Sequence, residues 1–306
     1  MSVYITLNNL KSDETWKNKI PLVDGIGTEG IGSMNQYHLL ANFLSDFTGI
    51  PFTYPGSRNF AHHSYTGYSE EKYFSKIDSF FNFPHVEDEW DEIYDYEGQI
   101  DDGFFKLIDE YKKSDNKILV NLHDCHRAIH SFCGSNIEAI FTKDRVDRIR
   151  NNLVFDGKKY FNDDINISLH IRTPNPNDIP GEIVSPYREY YIKENHFGRY
   201  TNLINFLKEQ TKNKRTVLHI HSQGFSTDFT EFFVFKDDNF DVQLHIDDHP
   251  ISDIYHMSNS DLFIMSNSAF SYIPCLLNSN QKITRDNYHT WTFNSIKTNY
   301  DFTSFV

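Results

Sequence analysis

Arg172 ends the apolar run INISLHIR (165–172) and precedes TPNPNDIPG, a proline-rich loop. A guanidinium placed there offers a planar fork of donors that matches phosphate oxygens two at a time. The ordinary alternative is a strand-end salt bridge. The stretch SNSAFS (266–271) has small hydroxyl side chains ahead of an apolar helical run. Free N–H groups at a helix N-terminus, with hydroxyls beside them, make an anion site. Ser268 taken alone reads first as a plain N-cap. His170, Ser222, Asp247 and Asp248 also follow or end apolar runs, so the second half carries polar groups at several predicted strand ends. Near the start, GIGTEGIGSMNQ is rich in glycine, but its spacing does not fit a dinucleotide fingerprint. NLHDCHRAIH places His126 and His130 one helical turn apart, yet it lacks the HExxH glutamate and a second cysteine pair, so no metal site is expected. Cys125 with a neighbouring histidine as a thiol nucleophile has no further support. Asp124 and His123, at a predicted strand end, are candidates to bind or deprotonate a hydroxyl.

The elements that must position these groups follow from hydrophobic periodicity. The chain reads as irregular up to Pro21, and then as a glycine-rich turn feeding a helix with Leu39, Leu40, Phe43, Leu44 and Phe47 at helical spacing. Gly49 stops that helix. Residues 55–75 read as a loop, 76–115 as acidic and aromatic with short helices, and 117–124 as a buried strand. A helix is expected over 145–153. Strands at 165–172, 215–223, 240–247 and 261–267 then alternate with helices at 196–213, 251–258 and 268–277. Alternation of this kind implies α/β architecture with a parallel sheet, where ligands bind beyond the C-terminal strand ends. A composition break at 155–164 suggests two domains, 1–158 and 159–306.

Bulk composition narrows the classes. The 306 residues suffice for two α/β units with real cores. A formal net charge of −14 disfavours general nucleic-acid binding. Aromatics reach 16%; they suit sugar binding, since a pyranose C–H face packs on a ring, though cores account for most of them. The three cysteines form no CxxC pair or disulfide framework. No stretch approaches the roughly 20 apolar residues of a membrane span, and no basic leader precedes an apolar run, so the expectation is a cytoplasmic protein. The Phe-, Asn- and Asp-rich, Ala-poor composition points to an AT-rich genome, such as that of a microbe or a large virus.

Four pieces, in order, resemble the GT-B fucosyltransferase group, which includes α1,2-, α1,6- and protein O-fucosyltransferases. GIGSMNQYHLLANFLSDFTGIPF is similar to its N-terminal glycine loop and helix, LHIRT to its HxRxGD element, HIHSQG to the intervening strand ending in serine, and 253–277 to the later helix, strand and serine-rich turn. The resemblance implies a GT-B fold, with two Rossmann-like domains facing a cleft, the first on the acceptor side and the second holding a nucleotide-sugar. It implies an inverting, metal-independent transferase that needs no cofactor and moves a sugar, from GDP-fucose or another nucleotide-sugar, to an oligosaccharide or glycoprotein. By the same resemblance Arg172 grips the β-phosphate, and His170 and Asp253 lie near the base. Ser268 binds phosphate, with Ser222, Asn267 and Ser271 nearby, and Gly32, Asn35 and Gln36 face the diphosphate. The Gly-Asp of the family element is replaced by Pro174 and Asn175, and a second arginine found in some members by Thr173. Asp178 and Glu182, further along the loop, rank ahead of Asp124 and His123 as the base that activates the acceptor.

Two other classes stay open. A carbohydrate- or nucleotide-binding protein without catalysis is suggested by the missing Gly-Asp. A Rossmann-type oxidoreductase or thiol hydrolase would need a cofactor fingerprint or a reactive Cys125.

Overall fold

The computed structural model describes residues 2–7, 31–55, 70–86, 89–122, 126–173, 196–266 and 268–283. The chain is α/β, and it divides into two compact units, one ending its first run at Val154 and the other starting at Phe155.

In the first unit, β1 (Ser2–Thr6), β2 (Glu92–Asp95) and β3 (Lys117–Asn121) form a parallel sheet in the order β1-β3-β2. Phe52 adds a parallel bridge to Ile5 on the outer side of β1. The helices are α1 (Ile31–Thr48), α2 (Glu70–Phe81), α3 (Asp102–Tyr111), α4 (His126–Ser135), α5 (Ile137–Ile140) and α6 (Lys143–Asn151). Leu39, Leu40, Phe43 and Leu44 of α1 are buried at the expected helical spacing. Gly49, at φ 71, ends the helix with its N–H on the Ser45 carbonyl, a backbone turn that glycine adopts without a Cβ penalty. Asp46 on α1 ties down α6 by accepting from Arg145 Nε at 2.5 Å and Arg148 Nη2 at 2.7 Å. The sequence reading of an irregular start is corrected here. Residues 2–6 are a strand, recognisable only through their parallel register on Lys117–Asn121, more than a hundred positions away. The four-residue β2, within the stretch read as short helices, is likewise defined by its pairing with β3.

The second unit carries β4 (Ile165–His170), β5 (Thr216–Ser222), β6 (Phe240–Ile246), β7 (Leu262–Ile264) and β8 (Gln281–Ile283), all parallel, in the order β6-β5-β4-β7-β8. From the central β4 the chain steps outward to β5 and β6, then returns across β4 to β7 and β8. That reversal makes the gap between the C-terminal ends of β4 and β7 the topological switch point, where open α/β sheets bind ligands.

Strand alternation sends Ile167, Leu169, Leu218, Ile220, Val242, Leu262 and Ile264 to one face. There α7 (His196–Thr211) supplies Tyr200, Leu203, Ile204 and Leu207. A 3₁₀ helix over Ser226–Phe235 adds Phe229, Phe232 and Phe235. With three residues per turn, positions three apart eclipse, so one edge of this helix is a row of buried phenyl rings. The opposite face lies under α8 (Pro250–Asn259), which packs on α9 (Ala269–Leu277). Pro250 starts α8 at a position where a missing N–H costs nothing, and the His249 side chain accepts from the Ile251 N–H at 3.3 Å.

Candidate functional site

At the switch point, the end of β4 is joined to the turn after β7. His170 Nδ1 lies 2.6 Å from Ser266 Oγ, and both residues are buried. Ser271, fully buried in the first turn and a half of α9, donates to the Ser266 carbonyl at 3.0 Å and to the Ser268 carbonyl at 3.1 Å. Ser268 takes the N-cap position with φ −150, and its Oγ accepts from the Phe270 N–H at 3.2 Å. Ser268 thus caps the start of α9, which follows β7 and, as a helix N-terminus, carries partial positive charge. Burial pushes His170 well below the usual imidazole range, and the Arg172 cation beside it adds to the shift. A neutral His170 meets the serine hydroxyl without bringing a second fixed charge into the site.

Arg172 leaves β4 two residues past His170 and is half-buried; its Nη1 donates to Gln223 Oε1 at 3.1 Å. The end of β5 is fastened to it from both sides. Ser222 Oγ donates to the Ile171 carbonyl at 2.8 Å, and Thr173 Oγ1 lies 3.1 Å from Ser222 Oγ while donating to the Gln223 carbonyl. Gly224 sits at φ 112 and Asp247, at the end of β6, at φ 56. The Asp247 N–H donates to the Ser222 carbonyl at 3.0 Å, and its Oδ1 accepts from the Gly224 N–H at 3.2 Å. Two left-handed residues on neighbouring strand ends, each hydrogen-bonded to the other strand, hold the loop beside Arg172 in one conformation. Unusual backbone of this kind concentrates at functional sites because neighbours must over-determine it.

Beneath α8 the sheet face is polar rather than oily. Cross-strand register aligns His170, His221 and His245 in one rung, with His219 one pleat lower. His221 Nδ1 lies 2.7 Å from Asp253 Oδ1. That distance is short enough for an ion pair, but burial drives Asp253 well above the carboxylate range and His221 well below the imidazole range. Burial thus disfavours the charged form of both partners in this contact. His221 Nε2 is buried with no partner among the described residues. His219 bridges His245 Nε2 and Asn166 Oδ1, each at 3.1 Å. Tyr160 stacks on His256 at a 3.4 Å centroid distance and on His245 at 4.2 Å. Burial lowers His219 to about 2 and His256 to about 4. The hydrogen bond from His245 holds Asp248 below its usual value.

In the first unit, Thr6, Asn121 and Asp95 end the three strands, and Asn121 Nδ2 donates to Asp95 Oδ1 at 2.7 Å. Gly32, Asn35 and Gln36 lie in the first two turns of α1 and all are buried. Gln36 Oε1 and Thr6 Oγ1 are buried without a hydrogen-bond partner among the described residues.

The structure thus gathers His170, Arg172, Ser222 and Ser268 at the strand ends of the second unit. Ser271 fastens the turn and exposes no surface. Asp253 is turned into the sheet against His221, so the carboxyl expected near a base is engaged inside the unit. Asp124, Asp178, Glu182 and Asn267 lie outside the described residues, as do His123, Cys125, Pro174 and Asn175. Among the described residues no three His, Cys, Asp or Glu side chains converge to hold a metal ion. Cys133 and Cys275 are buried thiols, pushed up by burial to about 12 and about 11. Among the described residues no helix is long and apolar enough to cross a membrane.

Sequence reasoning passed over Gln223, the bond that ties Asp247 to Gly224, and the histidine face. A signal for the last was present: Leu-His-Ile occurs at 169–171, 218–220 and 244–246, inside or ending three strands that pair side by side.

No protein-family model matches the sequence, and no curated protein matches it. Among solved structures, a high-resolution crystal structure of POFUT1, a protein O-fucosyltransferase, in complex with GDP is similar at 10% identity and a TM-score of 0.40. That match covers 91% of this chain and 95% of the other. A third crystal form of the same complex is similar at 9% identity and a TM-score of 0.37, covering 92% and 97%. Likeness at this level transfers neither ligand nor activity to this chain.

Proposed function

We propose that the chain is a glycosyltransferase that moves a sugar from a nucleoside-diphosphate sugar, GDP-fucose or a relative, to a glycan hydroxyl with inversion and without a metal. The observation that carries this reading is the strand order of the second unit. It makes the β4–β7 gap the switch point, and that gap is flanked by Arg172 on one side and the Ser268-capped N-terminus of α9 on the other. A cation and a helix N-terminus facing one crevice suit a diphosphate.

In the proposed reaction the acceptor oxygen attacks the anomeric carbon as the bond to the β-phosphate oxygen breaks. Arg172 stabilises the charge that develops on the departing diphosphate. The acceptor proton passes to a carboxylate, for which Asp178 and Glu182 are assigned ahead of Asp124. Acceptor handling is assigned to the first unit, and the polar groups Gly32, Asn35 and Gln36 to the diphosphate.

The test is a thermal-shift and calorimetric screen against GDP, UDP and their sugars, followed by transfer assays. The expected result is a raised melting temperature with one nucleoside diphosphate, lost in Arg172→Ala together with transfer, while the unliganded fold is kept. Full transfer activity in Arg172→Ala would overturn the proposal. The substitution of the family Gly-Asp by Pro174 and Asn175 supports a second reading, a binding protein without turnover. Nucleotide-sugar binding with no donor hydrolysis and no transfer to any acceptor would favour it.

A further inference from the structure

Phe225 is 69% exposed, although it directly follows the pinned turn beside Arg172. The core does not call for it: Phe229, Phe232 and Phe235 already fill the buried row of the 3₁₀ helix, and Phe225 lies off that three-residue spacing. Nor is it carried on an unsupported loop. Gly224, immediately before it, is held by the Asp247 carboxylate, and Gln223 by Thr173 and Arg172. The Phe225 carbonyl accepts from the Asp228 N–H at 3.0 Å. A Cβ placed on Gly224 would lie 3.9 Å from Asp228 Oδ2 and 3.9 Å from Thr173 Oγ1, so there is room for a side chain. It is the φ of 112, not crowding, that calls for glycine here.

An exposed aromatic ring on a fixed backbone, following a glycine that the Asp228 and Asp247 carboxylates approach, has the composition of a sugar subsite. The ring packs against an apolar C–H face, and carboxylates accept from hydroxyls. We infer that Phe225 is the platform for a pyranose ring bound next to the Arg172 site, with Asp228 as the acceptor for its hydroxyls. The inference rests on the nucleotide-sugar reading above. Its pyranose comes either from the donor or from the acceptor, and the two arms of the test separate them.

The first arm compares the affinity of GDP-fucose with that of GDP by calorimetry. The second follows saturation-transfer NMR of methyl pyranosides (fuco, galacto and gluco) with GDP present. Wild type, Phe225→Ala, Phe225→Tyr and Asp228→Asn are measured in each. The expected result is that Phe225→Ala weakens the sugar-bearing ligand roughly threefold to tenfold while GDP affinity is unchanged, and that Phe225→Tyr restores binding. Loss in the first arm identifies the donor sugar, and loss in the second the acceptor. Sugar binding at wild-type strength in Phe225→Ala, or an equal loss of GDP, overturns the platform and leaves the nucleotide reading standing. Absence of binding by any of GDP, UDP and their sugars in the wild type overturns both.

Discussion

Ser266 shows how a single hydroxyl organises the candidate site. It meets the His170 imidazole at 2.6 Å and lies 3.3 Å from Ser271 Oγ, all out of water. Ser266→Ala leaves a buried ring nitrogen without its partner, so unfolding free energy should fall by about 1–3 kcal/mol in urea titration. An unchanged midpoint would show that the imidazole reaches water. Gly224→Ala forces an L residue to φ 112, and a loss of about 1–3 kcal/mol is expected from the same titration. Among the proposed bases, Asp178→Asn, Glu182→Gln and Asp124→Asn are to be compared by transfer rate and by GDP affinity. The base is the one whose variant loses on the order of 10²–10⁴ in kcat with GDP affinity intact. At this scale the placement of Arg172 just past a strand and of Ser268 at a helix N-cap was legible, because apolar runs and capping chemistry are local signals. The bonds of Gln223 to Arg172 and of Asp247 to Gly224 were not, because those partners lie on neighbouring strands.

At the scale of elements, β4 to β7 were legible from their apolar halves and the helices of the second unit from their spacing, whereas the three-residue β8 is defined only by its pairing with β7. The 3₁₀ helix was not legible either, although Phe229, Phe232 and Phe235 repeat every three residues. Phe232→Ala should cost about 3–5 kcal/mol, since a fully buried ring is lost from a packed row. The histidine face makes a pH prediction. Unfolded imidazoles titrate near 6.5, whereas burial holds His170, His219, His221 and His256 lower, to about 2 for His219 and about 4 for His256. As pH falls below about 6.5 the unfolded chain binds protons first. Each such group then removes up to about 1.4 kcal/mol of stability per pH unit until its folded value is reached. Asp253 opposes this, since its raised carboxyl favours the folded state toward acid, and as a single proton site it offsets at most one histidine. At least three remain, so the urea midpoint of the second unit should fall from pH 6.5 to 4. A flat profile there would mean that these rings are already hydrated.

At the scale of the whole molecule, the two units each have a parallel sheet and a separate core. The proposed ligand would protect particular strand ends rather than the chain at large. Hydrogen exchange with saturating GDP should slow at residues 170–173, 222–225 and 268–271. The role assigned to Gly32, Asn35 and Gln36 adds slowing at 32–36 to that expectation. Slowing in the second unit alone would remove that role while leaving the Arg172 site in place.

Periodicity and turn chemistry act within a few residues, and they determined what was local: the α/β alternation, the helices of α1 and α7, the cap at Ser268 and a cation closing β4. The tertiary structure decided what depends on register between distant segments. Parallel pairing made residues 2–6 a strand and set the order β6-β5-β4-β7-β8, which turns the end of β4 into a switch point. The same pairing brought His170, His221 and His245 into one rung and joined His170 to Ser266 across 96 positions. A polar residue in a strand reads alike whether it meets solvent or a buried partner. Only the neighbouring strands and the helix laid over them determine which it meets.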